Sequence, residues 1–417
     1  MPISRPSAGS RGLTGPLAAV VALSRRHGAD SFDFASSGFD AKFQRALLQR
    51  ARELSVSGLI LVELERRGRL AELKSVSGFD GAAELRLLRR QAAMWDLERD
   101  FILRKLAMAR IPAVLLKGAA LRFAAYRDSA ERAFGDIDVL VPKASLEGAV
   151  AALVQGGYEP ESEERTRLYL EHYHHLILRK PQGFVVEVHW ALEPATSPFG
   201  LDPAAFLCDA RLVATPGGSG AAVPCPEHMV LHLAHQNLED GFSQLRRLVD
   251  VDRVVASDAD FDWLRLATES QRMRVQGVVA LTLRLAEVLL GTAVPAGFIE
   301  RLGLSRAART HLAMLDPVRL VLEQRGQRRA VRELLLLWCL PDSNTRLRIL
   351  KDMGTGERDR PWLTLAPGWF RGDTVTRLAA LMKMIAYQAT LYPTALIGIR
   401  SATRRRDGFW GENSPVA

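Results

Sequence analysis

IPAVLLKGAALRFAAYRDSAERAFGDIDVLV, residues 111–141, is the stretch whose reading decides the fold. Ala113 to Leu116 is a buried strand that ends in Lys117-Gly118, Ala119 to Tyr126 is a helix, and Asp136 to Val141 is a second strand. Successive strand side chains alternate faces, so Asp136 and Asp138 point one way while Ile137, Val139 and Val141 point into a core. Two carboxylates held side by side repel each other. A divalent cation between them removes that cost, and Mg²⁺, with its preference for oxygen, is the expected occupant.

A third acid has the same setting. Tyr173 to Arg179 and Phe184 to Trp190 read as strands joined by Lys180-Pro181-Gln182-Gly183, a hairpin turn with Pro and Gly where a turn wants them. In FVVEVHW, Val186, Val188 and Trp190 share the face opposite Glu187, which places that glutamate at the edge of a core. Three carboxylates on neighbouring strands are the apparatus for two divalent ions about 3.5–4 Å apart, one on the attacking oxygen and one on the leaving phosphate. Three unrelated acids are the alternative. Lys117 and Gly118 suit a nucleotide: glycine lets backbone N–H groups approach phosphate, the following helix offers its N-terminus, and the lysine neutralises a triphosphate oxygen. Arg132 is either a second phosphate clamp or an ordinary surface cation.

The string K-G-x-x-L from Lys117, Tyr126, Arg132, G-D-I-D-V-L-V and G-G-Y to Tyr158, then His174-His175 and V-E-V-H-W, resembles the poorly characterised bacterial nucleotidyltransferase family of the DNA polymerase beta-like superfamily. The resemblance spans about residues 95 to 255. It implies a small mixed-sheet fold and transfer of a nucleoside monophosphate from an NTP with release of pyrophosphate. Carried over by position, Asp136 and Asp138 would bind the metals, with Glu187 the third carboxylate, ligand to one ion and base for the acceptor hydroxyl. The usual Gly-Ser or Gly-Gly pair is Gly118-Ala119 here, preceded by lysine, and the interval to the aspartates is longer than in minimal members.

Other polar residues have two readings each. His189 shares the Glu187 face and would orient a carboxylate or touch substrate, whereas His174 and His175 alternate faces, so at most one reaches the site. His228, His232 and His235 fall on one helix face at a spacing that suits zinc, without an evident fourth ligand; a polar face lining the acceptor cleft, with His235 on substrate, or plain packing is the alternative. Asp250 is either an acceptor contact, as the resemblance implies, or a solvated helix acid.

The rest of the chain frames this core. The sequence has 417 residues, 48% hydrophobic and 25% charged, which is globular composition and excludes a disordered or fibrous protein. A formal charge of +9 favours anionic partners, although its arginines are scattered along helical stretches without the clustered stripe or aromatic platform of a nucleic-acid site. Three cysteines without metal-type spacing fit a reduced, cytoplasmic protein, the apolar run Leu17 to Leu23 is too short for a signal peptide, and no stretch is long enough to span a membrane. The expected fold is α+β: a flexible segment and first helix over residues 1–40, helices over 41–110 broken near Ser75 to Asp80, the mixed-sheet core over 111–200, a loop-like stretch from Glu193 to Pro226 holding a domain boundary, helices over 226–340, and a helical tail over 341–417. In that tail, Leu378 to Leu391 with Arg404 to Arg406 reads as a docked amphipathic helix, with peripheral membrane contact as the alternative.

The sequence therefore predicts a Mg²⁺-dependent nucleotidyltransferase whose partners are an NTP and a hydroxyl-bearing small molecule or protein. A catalytically silent nucleotide-binding regulator and a nucleic-acid-binding enzyme are the rival readings.

Overall fold

Short strands, with buried apolar residues along β1, β2, β4 and β5, build a seven-stranded mixed sheet among the described residues. The computed structural model describes residues 13–26, 39–75, 79–218, 220–313, 315–323 and 328–340, with 342, 344–346 and 349. In chain order the strands are β1 (Val114–Leu115), β2 (Ile137–Leu140), β3 (Glu159–Pro160), β4 (His175–Arg179), β5 (Val185–His189), β6 (Arg211–Ala214) and β7 (Gly220–Val223). Their order across the sheet is β3-β4-β5-β2-β1-β7-β6. The β2–β5 and β1–β7 pairs are parallel and the others antiparallel.

Helices enclose this sheet and continue beyond it. They are α1 (Gly15–Ser24), α2 (Ala41–Glu53), α3 (Ser57–Arg66), α4 (Gly81–Met108), α5 (Lys117–Ala124), α6 (Leu146–Val154), α7 (Glu163–His172), α8 (Pro203–Cys208), α9 (Pro226–Glu239), α10 (Leu245–Ser257), α11 (Trp263–Arg272), α12 (Gln276–Leu290), α13 (Phe298–Arg301), α14 (Arg306–Ala313) and α15 (Arg328–Cys339). The break expected near Ser75 to Asp80 ends at Asp80, whose carboxylate accepts from the amides of Ala82 and Ala83 at 3.0 Å and so starts α4. Helix α9 is buried on nearly every side, as a helix at the centre of a bundle must be. It packs against α10, α11, α12 and α15.

Two expectations meet a different structure. The stretch from Glu193 to Pro226, read as loop, contains α8, β6 and β7, and β7 joins β1 in the same sheet. The strands were hidden because β6 is an exposed edge with little alternation, while Gly220-Ala221-Ala222-Val223 carries little apolar bulk. Pro216, Gly217 and Gly218 lie in the turn between them, where the amide of Gly218 donates to the carbonyl of Thr215 at 2.9 Å. Within the helices expected over 226–340, Val318–Leu322 is a π-helical turn that precedes α15. The first twelve residues and the amphipathic segment Leu378 to Leu391 with its arginines lie outside the described residues. Among the described residues, no helix is long and apolar enough to cross a membrane.

The N-terminal helices meet the core at a glycine. A Cβ on Gly58, in α3, would collide with the carbonyl oxygen of Ala130, which belongs to the segment leading to β2. Gly58→Ala is therefore expected to destabilise the fold by about 1–3 kcal/mol through overpacking. Gly135→Ala, whose Cβ meets nothing within 4 Å, is expected to stay within about 0.5 kcal/mol of the parent. Chemical denaturation midpoints of both variants check this.

Candidate active site

Strand register assembles the site. Parallel pairing of β2 with β5 sets Asp138 opposite Glu187 and Leu140 opposite His189, and antiparallel pairing of β5 with β4 sets His175 opposite His189. Side chains in register on adjacent strands share a face, so Asp138, Glu187, His189 and His175 line one side of the sheet. On the other flank of β2, the amide of Leu116 donates to the carbonyl of Asp138 at 2.9 Å, which fixes where β1 ends. The next residue, Lys117, turns the chain with φ of +47°, a left-handed conformation that costs a non-glycine residue about 1–2 kcal/mol. That turn places Nζ of Lys117 2.6 Å from Oδ1 of Asp138 and 3.6 Å from Oε2 of Glu187.

Asp138 is the electrostatic centre. Its carboxylate is 1% exposed, and Oδ1 also meets Nε2 of His189 at 2.9 Å, while Oδ2 is buried and has no hydrogen-bond partner among the described residues. Burial works against its charge, but Lys117 and His189 outweigh that and hold the carboxyl below its ordinary value. The same contacts act in reverse on the cations. Burial disfavours the charge of Lys117, yet Asp138 and Glu187 raise its pKa; burial likewise opposes the charge of His189, yet hydrogen bonds to Asp138 and Glu187 raise it. Asp136 has too little relief: burial, then the charges of Asp138 and Glu187, push its carboxyl up to about 6 against the smaller opposing pull of Lys117 and Arg132. Asp138, Glu187 and His189 bring one ligand atom each within 4.8 Å of one another. An orphaned buried carboxylate oxygen beside a second carboxylate, with Asp136 destabilised by both, is a donor set that fits a hard divalent cation.

The remaining residues proposed from sequence divide between this site and its supports. Gly118 packs closely: a Cβ there would lie 2.7 Å from Cβ of Phe134 and 3.3 Å from Nη1 of Arg132, so glycine is needed for that approach. Arg132 and Asp250 correct their sequence readings, because neither is a surface group or a free contact for substrate. The guanidinium of Arg132 donates to both oxygens of Asp250 at 2.7 and 3.0 Å and to the carbonyl of Ala133 at 2.7 Å, and the Tyr126 hydroxyl donates to Asp250 at 2.6 Å. This buried triad ties the segment before Asp136 to α10 in the helical region.

The histidines also regroup. Phe206 stacks on His228, and Glu193 Oε2 lies 3.5 Å from Nε2 of His235, so the face of α9 serves packing and a loop contact. Its three histidines do not gather as a ligand set among the described residues. Both His174 and His175 reach His189, with ring centroids at 5.5 and 4.9 Å. Strict alternation fails because His174 sits in a bend before β4 begins. The sequence allowed at most one of this pair at the site, whereas both reach it, and it gave no sign of Tyr126 as a partner of Asp250. Burial, then neighbouring histidines, pushes His174 down to about 2, and burial with His189 pushes His175 down to about 4.

The profile of a family described as uncharacterised nucleotidyltransferase matches residues 41–291, more than half of the chain. Among solved structures, that of the antibiotic-resistance factor ANT(2'')-Ia is similar at 15% identity and a TM-score of 0.32, covering 43% of this chain and 93% of that one. No curated protein matches the chain.

Two stability measurements probe the arrangement. The carboxyl of Asp136 binds its proton more tightly folded, at about 6, than unfolded, at about 3.9, so its contribution to stability falls as pH rises through that window. Asp136→Asn is expected to raise stability by about 1–3 kcal/mol at pH 8, a gain that disappears near pH 4. Asp250→Ala strands the buried Arg132 guanidinium and is expected to cost about 3–5 kcal/mol, against about 1 kcal/mol for Tyr126→Phe, which leaves the ion pair intact. Urea denaturation at each pH reads both.

Proposed function

The chain belongs to the family of uncharacterised nucleotidyltransferases and is a transferase; from that premise we propose that it moves a nucleoside monophosphate from an NTP to a hydroxyl-bearing acceptor, a small molecule or a protein side chain, and releases pyrophosphate. The observation that carries this reading is the in-register meeting of Asp138 with Glu187, beside Lys117 and with Oδ2 of Asp138 left unpaired.

Asp136, Asp138 and Glu187 are the residues that would hold Mg²⁺. When bound, the ion supplies charge neutralisation for the triphosphate and the leaving pyrophosphate. The chain's own groups account for the rest. In the reaction proposed, the acceptor oxygen forms a bond to the α-phosphorus as the bond to the pyrophosphate oxygen breaks, and the acceptor proton passes to a base. Glu187 suits that role because its side chain is 18% exposed, whereas Asp138 is sealed in. Lys117 serves the carboxylates in the free protein and, on this reading, a phosphate oxygen in the loaded one; its strained turn keeps the ammonium at the junction of β1, β2 and β5. His189 fixes the rotamer of Asp138, and Arg132, through Asp250 and Tyr126, positions the segment that delivers Asp136. These last are positioning residues. Three unpaired cysteines, two of them buried, suit a reduced cytoplasmic setting.

Pyrophosphate release from each NTP, measured with a panel of hydroxyl acceptors, tests the proposal. Asp138→Asn and Glu187→Gln are each expected to lower the rate by at least about 10²-fold, as loss of a preorganised charge does. Chelation should abolish release and Mg²⁺ restore it. Variants that turn over like the parent, or turnover untouched by chelator, would sink the assignment.

A further inference from the structure

We propose that His174, His175 and His189 form a second metal site, a three-imidazole seat for a zinc-class divalent ion, sharing only His189 with the carboxylate cluster. One ring nitrogen from each histidine lies within 4.8 Å of the other two. The three ring centroids are mutually 4.9, 4.9 and 5.5 Å apart. All three Nδ1 atoms are buried and have no hydrogen-bond partner among the described residues, and His189 is 2% exposed. Each such atom costs about 1–3 kcal/mol, and packing alone does not reward three imidazoles left so within one cluster. An ion held through these nitrogens would remove the penalties at once.

His189 has the form of a metal ligand supported from behind. Its Nε2 faces Oδ1 of Asp138 at 2.9 Å and donates there, and an ion bound at Nδ1 would displace the second proton of the imidazolium. A carboxylate that orients a histidine while the other ring nitrogen binds metal is a recurrent device, and it raises the ligand's basicity. The backbone fixes the remaining pair. His174 lies in the bend before β4, where its carbonyl accepts from the amides of Trp190 and Ala191 at 3.1 and 3.4 Å, which pins the bend to the end of β5. His175 sits directly across from His189 in the ladder, with the ring of Tyr169 at 5.5 Å from its own.

Ligand chemistry separates the two sites. Carboxylate oxygens suit Mg²⁺, whereas clustered imidazoles suit zinc and its neighbours. Zinc bonds nitrogen at about 2.0–2.1 Å, and three protein ligands leave one position for water or an incoming donor atom. The inference does not depend on nucleotidyl transfer.

The test uses the full chain, stripped of metal and titrated with Co²⁺ as a visible stand-in for zinc. Expected is one Co²⁺ per chain with nitrogen-type ligand-field absorption, beyond any Co²⁺ held by the carboxylates, displaced by Zn²⁺ and indifferent to excess Mg²⁺. His174→Gln/His175→Gln should lose that signal, Asp138→Asn should weaken it by about 10–100-fold as an outer-sphere partner, and Asp136→Asn should keep it. X-ray absorption of the zinc-loaded parent, which needs no variant to fold, should show imidazole scattering from about three histidines. A parent that takes up no stoichiometric Zn²⁺ or Co²⁺, an ion with only oxygen neighbours, or a folded double variant that binds like the parent would overturn the proposal, whatever the outcome for pyrophosphate release.

Discussion

The parallel pairing of β2 with β5 is the constraint on which the site depends. Its register sets Asp138 against Glu187, and that register is held by the opposite face, where Ile137, Val139, Val186 and Val188 are all fully buried. A slip of one residue would turn the carboxylates into this apolar layer and the valines out of it. Hydrophobic burial thus keeps two like charges together that would separate in water. The sheet supplies the geometry and the core supplies the energy that holds it.

What the sheet imposes, local cations relieve. Lys117 and His189 converge on the same oxygen of Asp138, and the backbone accepts a left-handed residue at Lys117 to make that possible. Relief is incomplete at Asp136 and absent at Oδ2 of Asp138. Unrelieved charge in a preorganised place is the usual sign of a site shaped for a ligand. The compensating order lies further out, in the buried Arg132–Asp250–Tyr126 triad that joins the β2 approach to α10. The helical region is therefore coupled to the core by an ion pair as well as by packing.

Much of this was legible in the chain because it is local. Alternation placed Asp138, Glu187 and His189 on a face, and turn chemistry found the β4–β5 hairpin, where Gly183 donates to the carbonyl of Lys180 at 2.9 Å. Non-local facts were not legible. Arg132 and Asp250 stand 118 residues apart, so nothing near either announces the other. Strands β6 and β7 owe their existence to pairing beside β1, not to their own weak pattern. The metal spacing on α9 was real but its rings pack elsewhere, while His174 entered a cluster through a bend that strand periodicity does not foresee.

The central claim is that acids distant in sequence converge to hold a cation beside a triphosphate. Crystals grown with Mn²⁺ in place of Mg²⁺ and a non-hydrolysable NTP, measured at the manganese edge, address it most directly. The account requires an anomalous peak bounded by Asp136, Asp138 and Glu187, with Lys117 Nζ moved onto a phosphate oxygen. Manganese bound elsewhere, or a nucleotide seated away from those carboxylates, would contradict it.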